Sequence, residues 1–312
     1  AIGTNALLAN TSADANTAVG RSALCSNTTG DCNTGLGMNA LLGNTEGFGN
    51  VAVGRSAMVA NTTGDNNVAV GQNALVTNQT ADGNTAIGAC SMAGNTTGPN
   101  NVAIGYLALD ANTTGGTNVA VGRGSLGANT TASNNVAIGD LSMVANTEGH
   151  SNVAIGKGSL GANTTGTSNT AVGCDALVNN TTAGANTAVG RNSLRDNTTG
   201  SDNTAVGESS LRENETGCCN SVLGENAMTL NTSGCYNTSI GSFSLHNNTT
   251  ADNNTAVGFC ALNANTTGCF NTALGTSTLL VNQTGICNLA IGTSALRCNT
   301  ASNNIAVGVQ PL

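Results

Sequence analysis

Residues 16–32 read NTAVGRSALCSNTTGDC, residues 33–49 read NTGLGMNALLGNTEGFG and residues 50–66 read NVAVGRSAMVANTTGDN. Laid over one another, these stretches keep four places almost unchanged. Numbering positions 1–17 from Asn16, position 1 is Asn (Asn16, Asn33, Asn50) and position 5 is Gly (Gly20, Gly37, Gly54). Position 9 is Leu or Met (Leu24, Leu41, Met58), and position 12 is Asn (Asn27, Asn44, Asn61). The glycine column runs from Gly3 to Gly292 in steps of 17, and the last step, to Gly308, is one residue short. A fixed short period marks one small unit stacked on itself, hence a solenoid.

The unit is too short for a helical-hairpin repeat, which takes roughly 30 residues or more. Its Gly, Asn, Thr, Val and Ile favour strands and corners over helices. The expectation is an all-β fold: a parallel β-solenoid (β-roll) with a 17-residue coil and about 18 coils, stacked at about 4.8 Å. Residues 1–312 read as a single repeat domain, incomplete at both ends and without evident caps. Positions 2–4 (Thr17, Ala18, Val19) predict one short strand, Gly20 a corner, and positions 8–10 a second strand.

Side chains two apart in a strand share a face. Position 4 is always Val, Ile or Leu, which predicts that it points inward beside the Leu or Met of position 9. Position 3 would then face outward. It is almost always Ala, with Gly35, Val222 and Ser239 as exceptions, and position 8 is Ala, Ser or once Thr278. A free surface has no need of small residues in every coil. The strip Ala18, Ala52, Ala69, Ala103, Ala120, Ala137 and Ala154 therefore reads as a place of close approach by a second copy. The same smallness also fits a tight inner corner of a very thin coil.

The two Asn columns carry two readings. Asn tolerates left-handed backbone at corners, and its amide can pair with the same amide in the next coil. Many position-12 residues also begin an Asn-x-Ser/Thr sequon, which makes Asn27, Asn61, Asn95, Asn112, Asn129, Asn163, Asn197 and Asn265 candidate glycosylation sites. A glycan is wider than the coil spacing, so not every site on a flat ladder could be filled.

Charge is sparse, with 8 basic and 16 acidic residues and a net charge of −8, which argues against nucleic acid as a partner. Trp is absent and there are only 2 Tyr and 4 Phe, so repeated stacking platforms are missing. No stretch reaches the ~18 apolar residues of a membrane span. The 11 Cys show no metal-ligand spacing, and His occurs only at His150 and His246, so neither a metal nor another cofactor is expected. Cys218 and Cys235 share one column in adjacent coils, and Cys269 and Cys287 are nearly aligned. Coil spacing lies within the disulfide range of about 4.4–6.8 Å between Cα atoms. Both pairs are disulfide candidates, with Cys25 and Cys32 as a third that would close one coil on itself. An oxidising, extracellular or cell-surface setting follows from the sequons and the cysteines together. No carboxylate pair recurs and no Ser has a His partner at a regular offset, so no enzyme is expected.

Several units read NNVAIG or SNVAIG: Asn100–Gly105, Asn134–Gly139 and Ser151–Gly156. These resemble the β-roll head repeats of trimeric autotransporter adhesins and related phage-type tail-fibre and surface-fibre repeats. The resemblance implies a roll that associates in threes and binds a cell surface or matrix ligand. The expected function is an extracellular structural or adhesive fibre protein that assembles with itself, as a lateral trimer or an end-to-end filament. The alternative is an ice-binding solenoid. Thr29 and its equivalents form a Thr rank at position 14, interrupted by Glu46 and Glu148, and Thr or Val at position 2 adds a partial second one.

Overall fold

The computed structural model of the chain describes residues 1–310. The chain divides into two compact units, Ala1–Asn152 and Val153–Leu312. Both are parallel β-solenoids, and neither contains a helix among the described residues.

In the first unit each coil from Thr17 onward contributes one three-residue strand at positions 2–4, from Thr17–Val19 and Thr34–Leu36 to Val136–Ile138, and the coil before it only a bridge from Ile2 to Val19. Neighbouring strands are parallel and paired position for position: Thr17 with Thr34, Ala18 with Gly35, Val19 with Leu36. The same register persists where Val119 meets Val136. In the second unit the strands run from Val153–Ile155 to Ile305–Val307 in the same register, as where Thr170 meets Thr187. The one short final repeat leaves the pairing of Leu289 with Ile305 intact.

The expected second strand is absent among the described residues. Positions 6–11 form turns, and the chain enters left-handed backbone at position 7 (Ser22, φ 57°) and again at position 9 (Leu24, φ 50°). A third left-handed residue falls at position 17 (Cys32, φ 59°). The invariant Asn columns do not supply these conformations; the variable residues of positions 7 and 17 and the Leu or Met of position 9 do. A left-handed non-glycine residue costs about 1–2 kcal/mol. For position 9 that cost is offset by burial of Leu or Met, worth about 1.5–3 kcal/mol. Glycine at position 5 has a different cause. Gly20 has φ 133°, and a Cβ there would lie 2.5 Å from the carbonyl oxygen of Gly37 in the next coil. No other residue fits that approach.

Burial inverts the expected facing of the strand. Ala52, Ala69, Ala103, Ala120, Ala137 and Ala154 are fully buried, and Ala18 is 1% exposed. The position-3 strip is thus the inner wall of the coil, and the reading of it as a contact surface for a second copy is overturned. The physical reason is room. Leu24, Leu41 and Met58 already fill the interior from position 9. A Cβ built on Gly35 would touch the Leu24 side chain at 3.4 Å, so the wall opposite must be small. Position 8 is buried for the same reason, as Ala23, Ala40 and Ser91 show.

Hydrogen bonding accounts for both Asn columns. At position 12 the Asn44 Nδ2 donates to Asn27 Oδ1 at 2.7 Å and to the Gly47 carbonyl at 2.9 Å. At position 1 the Asn33 Nδ2 donates to that same Gly47 carbonyl at 2.7 Å. Its Oδ1 accepts the backbone N–H of Asn50 at 2.9 Å. Both lone pairs of the position-15 carbonyl are therefore used. Asp could not donate, and Gln would not fit. Asn84 is an exception: its Nδ2 lacks a partner, and Asn101 reaches the Gly98 carbonyl instead at 3.2 Å. The amide-ladder reading holds. The glycosylation reading does not, because Asn27, Asn61, Asn95, Asn112, Asn129, Asn163, Asn197 and Asn265 are fully buried. Their Nδ2 atoms, which a glycan would need, are hydrogen-bonded inside the coil.

Candidate functional site

With position 3 inward, positions 2 and 4 project together from the outer face of each strand. Position 4 holds Val19, Leu36, Val53, Val70, Ile87 and Ile104 in succession, and it is never polar in either unit. None of these side chains is fully buried by its own chain: Leu36 is 45% exposed, Ile104 38% and Leu223 50%, and Val19, Val53 and Val70 are half-buried. Position 2 accepts Thr and Ser as readily as Val, although it lies on the same face. Strand propensity alone would admit Thr at both places. Something therefore excludes polar residues at position 4 specifically. Within each unit the strict register lines these residues up one above another, as Ala103 pairs with Ala120 and Ile104 with Val121. Each unit thus carries an unbroken apolar stripe along its strands.

The stripe was hidden in the sequence by the same inference that placed position 4 inside. Two signals pointed to it. Column 4 mixes Val, Ile and Leu freely, whereas column 3 holds almost nothing larger than Ala. Close-packed interiors feel a change of one methylene, and surfaces do not.

The Thr columns divide by role. Thr28 at position 13 donates its hydroxyl to the Thr45 carbonyl at 2.9 Å, and Thr113 does likewise to Thr130 at 3.0 Å. Those hydroxyls are consumed by the backbone. Thr29, Thr63 and Thr97 at position 14 are exposed. In the second unit Thr170, Thr187 and Thr204 pair in register at position 2, beside Val172, Val189 and Val206 at position 4.

All eleven Cys are free thiols. Of the three candidate pairs, Cys218 and Cys235 are brought together, with the Cys218 thiol donating to Cys235 Sγ at 3.0 Å. Cys269 and Cys287 meet through the backbone, the Cys287 N–H donating to the Cys269 carbonyl at 3.1 Å. Cys25 is half-buried and Cys32 exposed. Cys218 and Cys235 stand at position 16, whose purpose the sequence did not reveal. Where the residue at this position carries an acceptor, that acceptor can take a backbone N–H from the coil before it. Asp31 Oδ1 accepts from Asp14 N at 2.7 Å, Asp82 Oδ1 from Asp65 N at 2.8 Å, and Ser133 Oγ from Gly116 N at 3.0 Å. Cys235 Sγ takes the same role toward Cys218 N at 3.0 Å.

No helix of the described residues is long and apolar enough to cross a membrane. Against family models and against curated proteins, the chain finds no match.

Proposed function

We propose that the chain is a structural or adhesive fibre protein that assembles laterally with copies of itself through the outer face of its strands. One observation carries this reading: position 4 is apolar in every coil although it faces water in the lone chain. Fully burying an Ile or Leu is worth about 1.5–3 kcal/mol, so covering what is left exposed at Leu36, Ile87, Ile104 and Ile138 contributes about 1 kcal/mol each, and the half-buried Val coils less. The first unit has strands from Thr17 to Ile138 at one per coil, and the sum reaches several kcal/mol. Association costs on the order of 4–15 kcal/mol, so a single coil cannot hold a partner, and only a stripe of many coils reaches that range. The resemblance to adhesin and tail-fibre repeats agrees with this arrangement and supports a surface setting and a cell or matrix ligand.

Sedimentation velocity over a range of concentrations tests the proposal. Wild type should form a defined oligomer, and the double variant Ile104→Lys with Ile138→Lys should sediment as a monomer with unchanged circular dichroism. A wild type that stays monomeric throughout would remove the proposal.

A second reading is favoured by the paired Thr and Val ranks of the second unit. Ranks spaced about 4.8 Å between coils and about 6.6 Å along the strand present methyl and hydroxyl groups in a regular lattice. Such a face is suited to ordering water against ice. Thermal hysteresis of the purified monomer would support that reading, and its loss in Thr187→Lys would assign it to this face.

A further inference from the structure

In several coils position 16 holds a side-chain acceptor for a backbone N–H of the coil before it. In the coils of Asp31, Asp65 and Asp82 a carboxylate oxygen occupies the place toward which the preceding coil aims a backbone N–H. In two coils a cysteine sulfur takes this place: Cys269 Sγ accepts the Asp252 N–H at 3.3 Å, and Cys235, unlike Cys269, also has a second thiol against it. The Cys235 sulfur accepts the Cys218 N–H at 3.0 Å and the Cys218 thiol at 3.0 Å. When protonated, Cys235 directs its own hydrogen to the Ser233 carbonyl at 3.5 Å. Two donors thus converge on a sulfur placed where the fold elsewhere stabilises an anion. Cys218 has no matching arrangement, and both residues are half-buried, within reach of small molecules.

We propose that Cys218 and Cys235 form a thiol–disulfide exchange site, in which Cys235 is the attacking thiolate, Cys218 the resolving thiol, and a low-molecular-weight disulfide the substrate. The Cys235 thiolate attacks one sulfur of the small disulfide, forming a mixed disulfide and releasing one small thiolate. Cys218 then gives up its proton to that thiolate or to water, and its sulfur attacks the Cys235 sulfur. The second small thiolate departs. The two cysteine thiols are oxidised to one disulfide between adjacent coils, and the small disulfide is reduced to two thiols. Attack runs through the thiolate and is governed by access and by thiolate fraction. The order of the two residues agrees with the local electrostatics. Hydrogen bonding to Cys235, burial and the charge of Cys235 push the Cys218 thiol up to about 12, so Cys218 keeps its proton while Cys235 reacts. Cys219 also adjoins the pair and raises Cys218 further.

The test uses the intact chain, oxidised glutathione and peptide mapping without reduction. Serine occurs naturally at this position in Ser133 and Ser201, so both serine variants are compatible with the coil. Wild type should form the Cys218–Cys235 disulfide and retain no glutathione on either residue. Cys218→Ser should trap one glutathione on Cys235. Cys235→Ser should leave Cys218 modified at least tenfold more slowly than Cys235 is in Cys218→Ser. Equal rates in the two variants would overturn the assignment of roles. A bridge through Cys219, or a pair that stays reduced while exposed Cys32 and Cys287 become glutathionylated, would overturn the site.

Discussion

Replacing Asn112 by Asp or by Ala separates the hydrogen-bonding role of the position-12 ladder from its volume. Asn112 is fully buried. Its Nδ2 donates to Asn95 Oδ1 at 2.8 Å and to the Gly115 carbonyl at 2.9 Å, and its Oδ1 accepts from Asn129 Nδ2 at 2.8 Å. In Asn112→Ala the Gly115 carbonyl keeps Asn101 as a donor, and Asn129 keeps the Ala132 carbonyl. Two groups lose their ladder partner: Asn95 Oδ1 and one N–H of Asn129. At about 1–3 kcal/mol for each orphaned buried group, the loss is about 2–6 kcal/mol. Asn112→Asp keeps the volume but sets a carboxylate against two oxygens to which Asn112 donated. Burial without a cation raises the pKa of the introduced carboxyl, so the folded state favours its protonated form. Stability is then least impaired below the ordinary Asp pKa and falls as pH rises toward the folded-state value. In a solenoid the damage stays near its own coil. Hydrogen exchange read by mass spectrometry should show lost protection around residues 95–132, with Asp worse than Ala at pH 7 and much improved at pH 4. An Asp variant that matches wild type at pH 7 would refute the ladder as a source of stability.

Other outcomes follow from the same geometry. Leu126→Ala should cost about 2–5 kcal/mol, measured by denaturant unfolding, because Leu126 is fully buried. Ala103→Leu should cost about 1–3 kcal/mol by overpacking the inner wall, whereas Ile104→Thr should alter monomer stability by only about 0.5 kcal/mol; the opposite ranking would restore the original facing. Expression in a glycosylating host should leave Asn27, Asn61 and Asn112 unmodified in folded protein, as seen by intact mass. Asp110, half-buried and raised mainly by desolvation, should titrate above the ordinary carboxylate range by NMR, so folding gains on protonation and that gain is lost as pH rises through its folded value.

Much of the architecture could be read from Gly20 and its equivalents, because a backbone-to-backbone contact repeated at every coil admits one residue only. The Asn columns were equally readable, since no other side chain both donates twice and accepts at that length. What misled was column 4. Val19 and Ile104 look like core by polarity, and alternation in a three-residue strand fixes which residues share a face but not which face is inside. Volume decides that: Leu24 and Leu41 leave room only for Ala opposite. The turn at positions 6–11 was hidden for another reason. Leu24 and Ser22 sit in left-handed backbone that their residue types do not advertise, held there by burial and by contacts to the next coil. The thiol pair was legible as a shared column, but its N–H donor was not, because position 16 varies in identity and carries a side-chain acceptor in only some coils.

The small column lies inside and the Val, Ile and Leu column lies outside; in the proposed assembly another copy covers that outer column. Hydroxyl-radical footprinting of wild type, resolved to single residues, tests both halves in one experiment. Met58, Met92 and Met143 are fully buried, while Met38 is partly exposed. Methionine oxidises readily, so the buried ones should remain protected at every concentration while Met38 reacts. Leu36, Ile104 and Ile138 should be oxidised in dilute protein and become protected as concentration rises. Oxidation of these three residues at the same rate in dilute and concentrated protein would contradict the account.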